Sequence, residues 1–402
     1  MTDRHAIQVA QMHQGRIVAA YRQAANLSQQ DLADFMRVSV HTVHRMEKEA
    51  VIKSFERRQF LVAFLGIPAV YLQLDTDTQE PWDERVALLY NDDPMSFVEN
   101  TVKKYWTTFL LGGPLYAASG LSRLVKAVES FVQAVPERGW YRRAHGQLCM
   151  VYQLQACVEE GLLRYQQAFG WYQKAYTVAS ELDDAELLGA VRLRQGITFL
   201  WKQQPQEAID YLEHARDLVQ GKGLPQLRGT ILADLSQAYA TAGQSQQCWR
   251  SLGLAENILE QTTQAQERSY KEFHTEYLNA QKGVSAVILQ DYDRALRLFD
   301  KSLKTYDPTR VSERARLIVS QAKAYYGRGN IDYCTDSAKE AFTLLSAVGA
   351  RNHLTQVKQL YARLLHGGWA RERGTVELGM MIAAYERTNR PLTPNDSPTA
   401  PQ

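Results

Sequence analysis

The sequence has few cysteines and no long apolar segment. Its 402 residues include four cysteines, which lie far apart and form no CxxC pair, so neither a structural zinc site nor a disulfide framework is expected. No run of eighteen or more apolar residues occurs, which argues against a membrane span. The N-terminal stretch also lacks the apolar core of a secretory signal. Together these absences predict a soluble protein of the cytoplasm.

Motifs for catalysis and for cofactor binding are also missing. The GKG at 221–223 lacks the GxxxxGK[ST] frame of a phosphate-binding loop. The glycine-rich LLGGPLYAASG at 110–120 has no strand-turn-helix context, and we interpret it as a break between helices. Neither GxSxG nor HExxH occurs, and the carboxylates are spread along solvated helix faces. We therefore expect no enzymatic activity and no cofactor.

Three regions of the chain differ in pattern. Residues 10–74 contain several short amphipathic segments, and a polar linker with Pro81 follows at 75–84. Residues 85–388 are rich in Ala, Leu, Gln, Glu and Arg, which favour helices. Residues 389–402 hold four prolines and no aromatic residue, which predicts a disordered tail. The N-terminal 74 residues carry nine Lys and Arg against six Asp and Glu, an excess that weakly favours a nucleic-acid-binding module there.

The middle region repeats itself at intervals of 40, 40, 47 and 39 residues. Small residues recur in a first column at Ala168, Ala208, Cys248, Ala295 and Cys334. Seven residues later lies a second small column, at Ala175, Ala215, Ala255, Ser302 and Ala341, and twelve residues before the first lies a third, at Ala156, Gly196, Ser236, Gly283 and Ala322. Larger residues such as Leu212 and Phe299 stand between the first two columns. Offsets of four and seven share one helix face, whereas an offset of twelve requires a preceding helix and a turn, so the repeating unit is predicted to be a helix pair.

These columns resemble tetratricopeptide (TPR) repeats over about residues 142–345, and degenerate helix pairs are expected before and after this part. The interval exceeds the 34 residues typical of that family. The resemblance implies an α-solenoid, in which stacked helix pairs share a continuous core and form a curved groove for a peptide or a partner protein. The alternative is a non-repetitive helical domain whose alanines align by chance.

The N-terminal region contains two short amphipathic helices around a tight turn. SQQDLADFM opens with Ser28 as an N-cap, and VSVHTVHRMEKE opens with Ser39 as the next cap. In the second helix Val43 and Met46 face inward at an offset of three. Five residues are then left on the outer face: Val40, His41, Thr42, His44 and Arg45. The two histidines have the spacing of a metal site, but no third ligand accompanies them, so no metal is expected.

This pattern resembles the helix-turn-helix of the phage-repressor-like (XRE/Cro) family over about residues 15–74. The resemblance implies that the second helix enters the major groove of DNA with its outer face, where Arg45 is a candidate to bind guanine. It also implies contacts that set the position on the DNA backbone, from Gln29, Ser39, Lys48, Lys53, Arg57 and Arg58. Arg37 stands where the family usually has glycine, and EKEA replaces the usual exit from the helix. A helical cap that does not bind DNA is the alternative.

The two parts together resemble the RRNPP family of cytosolic, peptide-responsive transcription regulators. The expected fold is all-α, with a helix-turn-helix domain followed by a TPR-like solenoid. The resemblance implies a homodimer that binds an operator in double-stranded DNA, and a signalling peptide in the groove that changes the DNA affinity. By repeat position, the residues expected to face the groove are Gln153, Arg194, Gln237, Asn279, Lys323 and Tyr326. The alternative is a TPR adaptor or antitoxin-like protein whose N-terminal unit serves dimerisation or autoregulation.

Overall fold

The computed structural model describes residues 14–24, 27–36, 38–54, isolated positions between 57 and 72, and residues 94–118, 120–134, 138–261, 273–307 and 310–388. Within these ranges the chain forms helices and no strand, so the all-α prediction is confirmed. None of the described helices is long and apolar enough to cross a membrane. The predicted linker at 75–84 and the predicted tail at 389–402 lie outside the described residues.

Eighteen helices are described, three in the N-terminal unit and fifteen in the larger part of the chain. Their bounds are α1 Gln14–Ala24, α2 Gln29–Met36, α3 Val40–Met46, α4 Pro94–Gly112, α5 Pro114–Ala118, α6 Leu121–Ala134, α7 Arg138–Gly161, α8 Tyr165–Glu181, α9 Ala185–Trp201, α10 Pro205–Val219, α11 Pro225–Thr241, α12 Ser245–Gln261, α13 Thr275–Ile288, α14 Tyr292–Thr305, α15 Val311–Gly327, α16 Ile331–Val348, α17 Arg351–His366 and α18 Arg373–Thr388.

Helices α7 to α16 form the five helix pairs that the small columns predict, and each pair packs on the next. All residues of the first and second small columns are buried. The third column holds small residues because the helices approach closely there. A Cβ added to Gly196 would lie 2.6 Å from Leu212 Cγ, and one added to Gly283 would lie 2.6 Å from Phe299 Cε1. A large side chain of the second helix therefore occupies the space that the first helix leaves open.

The turn inside each pair contains one residue in the left-handed region, always five positions before the first small column. These residues are Leu163 (φ 67°), Gln203 (57°), Gly243 (76°), Gln290 (65°) and Gly329 (83°). A residue other than glycine costs roughly 1 kcal/mol or more in this conformation. The packing of the pairs therefore holds three non-glycine turns in a shape that their own sequence does not favour.

Additional helices lie at both ends of the five pairs. Helices α4 to α6 precede them, and α6 packs on α7, whereas α17 and α18 follow and pack on α16. The predicted break at 110–120 is confirmed, because α4 ends at Gly112, Gly113 has a φ of 82°, and α5 begins at Pro114. These helices lie where degenerate pairs are expected, before and after the five repeats.

The two ends of the solenoid meet. The Tyr116 hydroxyl after α4 donates to the Ala347 carbonyl of α16 at 3.3 Å, across 231 residues of sequence. The rings of Trp201 on α9 and His353 on α17 lie edge to face, with their centroids 4.7 Å apart. These contacts close the superhelix around a central space, which is the main candidate site.

Candidate functional site

Helix α3 of the N-terminal unit rests on a small apolar core. Val43 and Met46 are buried in one cluster with Leu32 of α2, as the sequence predicts. The Ser39 hydroxyl caps α3 by accepting a hydrogen bond from the Thr42 amide at 3.2 Å. The two helices and the cap are therefore where the pattern places them, and the inward face of α3 is fixed.

A buried ion pair ties the three N-terminal helices together. Arg22 of α1 donates through Nε to Glu47 Oε1 at 2.5 Å and through Nη2 to Glu47 Oε2 at 3.1 Å. Gln29 of α2 donates to the same carboxylate at 2.7 Å. Sequence reasoning missed this pair, and it shows that the Gln29 amide, expected to bind a DNA phosphate, already has a partner inside the unit.

The outer face of α3 is accessible. Six of the residues that the helix-turn-helix resemblance assigns to DNA are exposed: Ser39, His41, His44, Arg45, Lys48 and Lys53. Val40 and Thr42 are half-buried. Arg45 faces Glu49 only loosely, at 3.8 Å. The role of these residues in reading DNA stays a prediction.

Two arginines of the N-terminal unit, Arg37 and Arg58, do not belong to this exposed set. Arg37, in the turn, lies outside the described residues. Arg58 is half-buried, and its Nη1 donates to the Leu72 carbonyl at 2.8 Å. The guanidinium of Arg58 therefore holds the end of the unit in place, which makes it a poor candidate for a DNA phosphate contact.

The closed solenoid surrounds a cavity of about 850 Å³, within the range of roughly 300–1,000 Å³ that is typical of ligand sites. Its wall comes mainly from the inner helix of each pair, α7, α9, α11, α13 and α15, and from α4 and α17 at the closure. Aromatic residues stand in the wall, and Trp201 and Tyr326 are half-buried, whereas Trp106, Tyr172 and Tyr277 are buried behind the surface. The cavity thus combines an apolar lining with polar side chains from seven helices.

Four of the six residues predicted to face the groove line this cavity: Arg194, Gln237, Lys323 and Tyr326. The other two do not. Gln153 is fully buried, and its Oε1 accepts from Arg194 Nε at 3.0 Å. Asn279 is also buried away from the lining.

The helical register explains part of this difference. In every pair the residue eleven positions before the first small column lines the cavity: Cys157, Ile197, Gln237, Val284 and Lys323. Residues fourteen positions before it do so at Arg194, Asp234 and Ser320. Gln153 and Asn279 stand fifteen and sixteen positions before their columns. Because each residue turns about 100° around the helix axis, Asn279 is rotated away from the cavity-lining residue Val284 and points into the packing between helices. Gln153 shares a helix face with Cys157, but it is fully buried beneath its hydrogen bond with Arg194 of the next pair.

The acidic residues of the cavity wall are held by protein donors. Glu160 accepts from Thr198 Oγ1 and from the Tyr172 hydroxyl. Asp234 accepts from the Tyr277 hydroxyl at 2.6 Å and from Gln281 Nε2. Glu313 accepts from the Tyr306 hydroxyl. Their negative charges are therefore satisfied within the fold.

Basic side chains gather where α15 faces α17, at Arg316, Lys323 and Arg363. Lys323 is half-buried and donates to Gln356 Oε1 at 2.5 Å. Burial, aided by the charge of Arg363, lowers the pKa of Lys323 to about 8. Burial, with the charges of Arg316 and Lys323, also lowers the pKa of His353 to about 3. His353 is therefore neutral at physiological pH, and this wall disfavours added positive charge.

Sequence reasoning missed most of this wall, because α17 lies outside the predicted repeats. A signal for it existed. Asn352, Gln356, Gln359 and Arg363 stand at offsets of four, seven and eleven, which places all four on one face of the helix. All four line the cavity.

Helix α4 physically links the cavity to the N-terminal unit. Trp106 lines the cavity, whereas Leu111, little more than one turn later, is buried in the apolar cluster of α1 to α3. Near the other side of the unit, His44 and Lys48 line a smaller cleft of about 450 Å³ together with Asp307, which follows α14. The solenoid therefore contacts the unit's core and borders the outer face of α3.

Comparisons with known proteins give similarity of fold. No protein-family model and no curated sequence matches the chain. A Rap protein solved in complex with competence and sporulation factor is 13% identical with a TM-score of 0.51, and the match covers 79% of this chain and 81% of that one. BtubC (BKLC) from P. vanneervenii is 16% identical with a TM-score of 0.41, over 57% of this chain and 89% of that one. The present chain thus shares its helical-repeat fold with the Rap protein.

Proposed function

We propose that this protein is a ligand-responsive transcription regulator. Its solenoid cavity binds a peptide, and its N-terminal unit binds double-stranded DNA with an affinity that depends on the peptide. The observation that carries the proposal is the cavity of about 850 Å³, with a polar and aromatic wall, between the helices of the solenoid. The Rap protein of similar fold was solved in complex with competence and sporulation factor, which is consistent with ligand binding by this fold.

A peptide suits the chemistry of the wall. Side-chain amides at Gln237, Gln356 and Gln359 line the cavity. An amide side chain both donates and accepts hydrogen bonds, as each backbone peptide group of a ligand does. Trp201 and Tyr326, both half-buried in the wall, provide apolar area for its side chains. The combination matches an extended peptide of a few residues.

The N-terminal unit offers a face suited to DNA. His41, His44 and Arg45 are exposed on a helix whose opposite side is locked into the core. Lys48 and Lys53 add exposed positive charge nearby, as backbone contacts require. Two such units in a homodimer would address paired half-sites on DNA.

Helix α4 supplies a route for coupling. A peptide that contacts Phe109 and Leu110 of α4, which are half-buried in the cavity wall, changes the stability of one α4 position relative to others. Leu111 would transmit a shift of α4 to the N-terminal core. Coupling requires that the peptide binds two arrangements of these parts with different affinities. The typical size of such coupling is about 1–3 kcal/mol, or roughly 5- to 150-fold in DNA affinity.

The test is a titration of the DNA upstream of the gene with the full-length protein, with and without pooled random hexapeptides. We expect a steep negative dependence of affinity on salt and a peptide-dependent shift in affinity. Arg45→Ala should relax specificity at one base step, while Lys53→Ala should weaken binding to all sequences alike.

Two outcomes would contradict the proposal. DNA binding that is the same in both variants as in the wild type would exclude the α3 face as the reader. Peptide binding without any change in DNA affinity would instead favour the adaptor, in which the solenoid recruits a partner and the N-terminal unit acts independently.

A further inference from the structure

The basic wall of the cavity brings three cations to one place. Arg316 and Lys323 stand seven residues apart on α15, which puts both on one face of the helix. Arg363 belongs to the facing helix α17 and is close enough to lower the pKa of Lys323. All three side chains line the cavity.

Within the part of the chain that the structure describes, these cations lack an ion-pair partner. Among the residues that the structure describes, none of the three forms an ion pair with a carboxylate within 4 Å. The nearest acid in sequence, Glu313, lies one turn before Arg316 but pairs with Arg310 at 3.6 Å. Like charges gathered at a partly desolvated site are unfavourable unless an anion joins them.

An unpartnered imidazole lies at the same place. His353 is 9% exposed and lines the cavity, and its Nδ1 is buried with no hydrogen-bond partner. The Trp201 ring fixes one side of the imidazole by an edge-to-face contact. A buried nitrogen without a partner is costly in a native fold, and here it is satisfied if a ligand atom accepts or donates a hydrogen bond.

We infer that the corner formed by Arg316, Lys323 and His353 binds a carboxylate of the ligand. This inference rests on the peptide-binding function proposed above and names the part of the peptide that the corner recognises. Arg316 presents a planar fork that matches a carboxylate, Lys323 adds a point charge, and the imidazole completes the set. The carboxylate comes from an Asp or Glu side chain of the peptide or from its C terminus.

Four pools of random hexapeptides test the inference with the full-length protein. Each peptide of two pools carries one Asp at a fixed position, and the other two carry Asn there; each kind is made with a free C terminus and with a C-terminal amide. Binding is measured by equilibrium dialysis with mass spectrometry. We expect the wild type to bind at least one acid-bearing form about tenfold or more tightly than its amide counterpart, as a charge-assisted hydrogen bond provides.

Substitutions in the cavity wall show which side chains cause the preference for an acid over an amide. Arg316→Gln and Lys323→Gln should reduce the acid-over-amide ratio to near one, whereas Arg316→Lys should keep part of it. Lys358→Gln is the matched control, because Lys358 lies on α17 but pairs outside the cavity with Glu386 at 2.7 Å. Thermal melts check that each variant is folded.

The outcomes separate the two proposals. If a side-chain acid or a free C terminus alone carries the preference, the source of the carboxylate is identified. Binding of all four pools with equal affinity would overturn the carboxylate site and leave the peptide cavity standing. Failure of every pool to bind would overturn the peptide proposal itself and the inference with it.

Discussion

The N-terminal unit and the solenoid hold buried charge in opposite ways. In the unit, Arg22 meets Glu47 in a bidentate pair that also engages Gln29. In the solenoid, Arg316 and Lys323 border a cavity without an ion pair to any described carboxylate. A matched pair fixes the helices that carry it, whereas unmatched cations retain their capacity to bind an outside anion. The same residue types therefore indicate structure in one region and recognition in the other.

The largest effect on stability is expected when the buried pair loses Glu47. Glu47→Ala leaves the Arg22 charge buried without a partner, which should destabilise the N-terminal unit by about 3–5 kcal/mol. Amide hydrogen exchange of α2 and α3 measures the loss. Glu49→Ala is the control, because its contact with Arg45 is long and exposed, and it should cost less than about 1 kcal/mol. Equal losses in both variants would mean that the buried pair is not structural.

Removing a positive charge from the cavity wall should stabilise the protein, whereas removing Glu47 should destabilise it. Burial lowers the pKa of Lys323 from 10.5 to about 8, so the charged form is disfavoured in the folded state. Lys323→Gln should therefore stabilise the unliganded protein at pH 7, by about 1–3 kcal/mol after the loss of its bond to Gln356. Urea unfolding measures the difference.

The pH dependence of this gain follows from the same shift. Between pH 8 and 10.5 the folded protein loses the Lys323 proton before the unfolded chain does, so wild-type stability rises with pH. The advantage of Lys323→Gln should shrink over that interval. Lys358→Gln should change stability by no more than about 0.5 kcal/mol. A destabilised Lys323→Gln variant at pH 7 would show that Lys323 is a structural group after all.

Close packing at small residues holds the helices of the solenoid together, as the ion pair does in the N-terminal unit. Gly283→Ala places a Cβ 2.6 Å from the Phe299 ring, and such overpacking should destabilise the solenoid by about 1–3 kcal/mol. Gly170→Ala, in the middle of α8, meets no atom within 4 Å and should stabilise it by up to about 1 kcal/mol through helix propensity. Thermal unfolding of both variants compares the two positions, and a similar loss in each would argue against close helix contact at the third column.

The smallest effects are expected in the turns. Gln290→Gly relieves a left-handed residue and should stabilise the protein by less than about 1 kcal/mol, since glycine also adds entropy to the unfolded chain. Gly243→Ala, at the equivalent turn, should destabilise it by about 1 kcal/mol. Urea midpoints that shift in the same direction for both would show that these turns are not equivalent.

The parts of the fold that sequence predicts are the parts that depend on local pattern. The five helix pairs follow from small residues at fixed offsets, and α2 and α3 follow from their caps and inward apolar residues. The turns at Leu163, Gln203 and Gln290 carry no such signal, because tertiary packing imposes their backbone conformation. The predicted linker and tail fall on residues that the structure does not describe.

The candidate site was only partly predictable for a related reason. Gln237 and Lys323 were placed on the cavity wall because they share one offset from the repeat column. Gln153 shares a helix face with Cys157, but Arg194 of the next pair binds it and it is fully buried, which no pattern within one helix reveals. The contact of Trp201 on α9 with His353 on α17 joins residues that are far apart in the sequence, so no local pattern predicts that His353 reaches the cavity.

The closure between Tyr116 and Ala347 has a consequence for folding order. Contacts within and between neighbouring pairs join residues that are close in sequence and can form quickly, whereas this contact spans 231 residues. Long-range contacts are formed at a greater entropic cost and tend to form late. The ring should therefore assemble as an open spiral whose last step is to shut. By the same reasoning, the seam between its ends is the region expected to open most often in the native state, which makes it the natural entrance for anything that reaches the cavity.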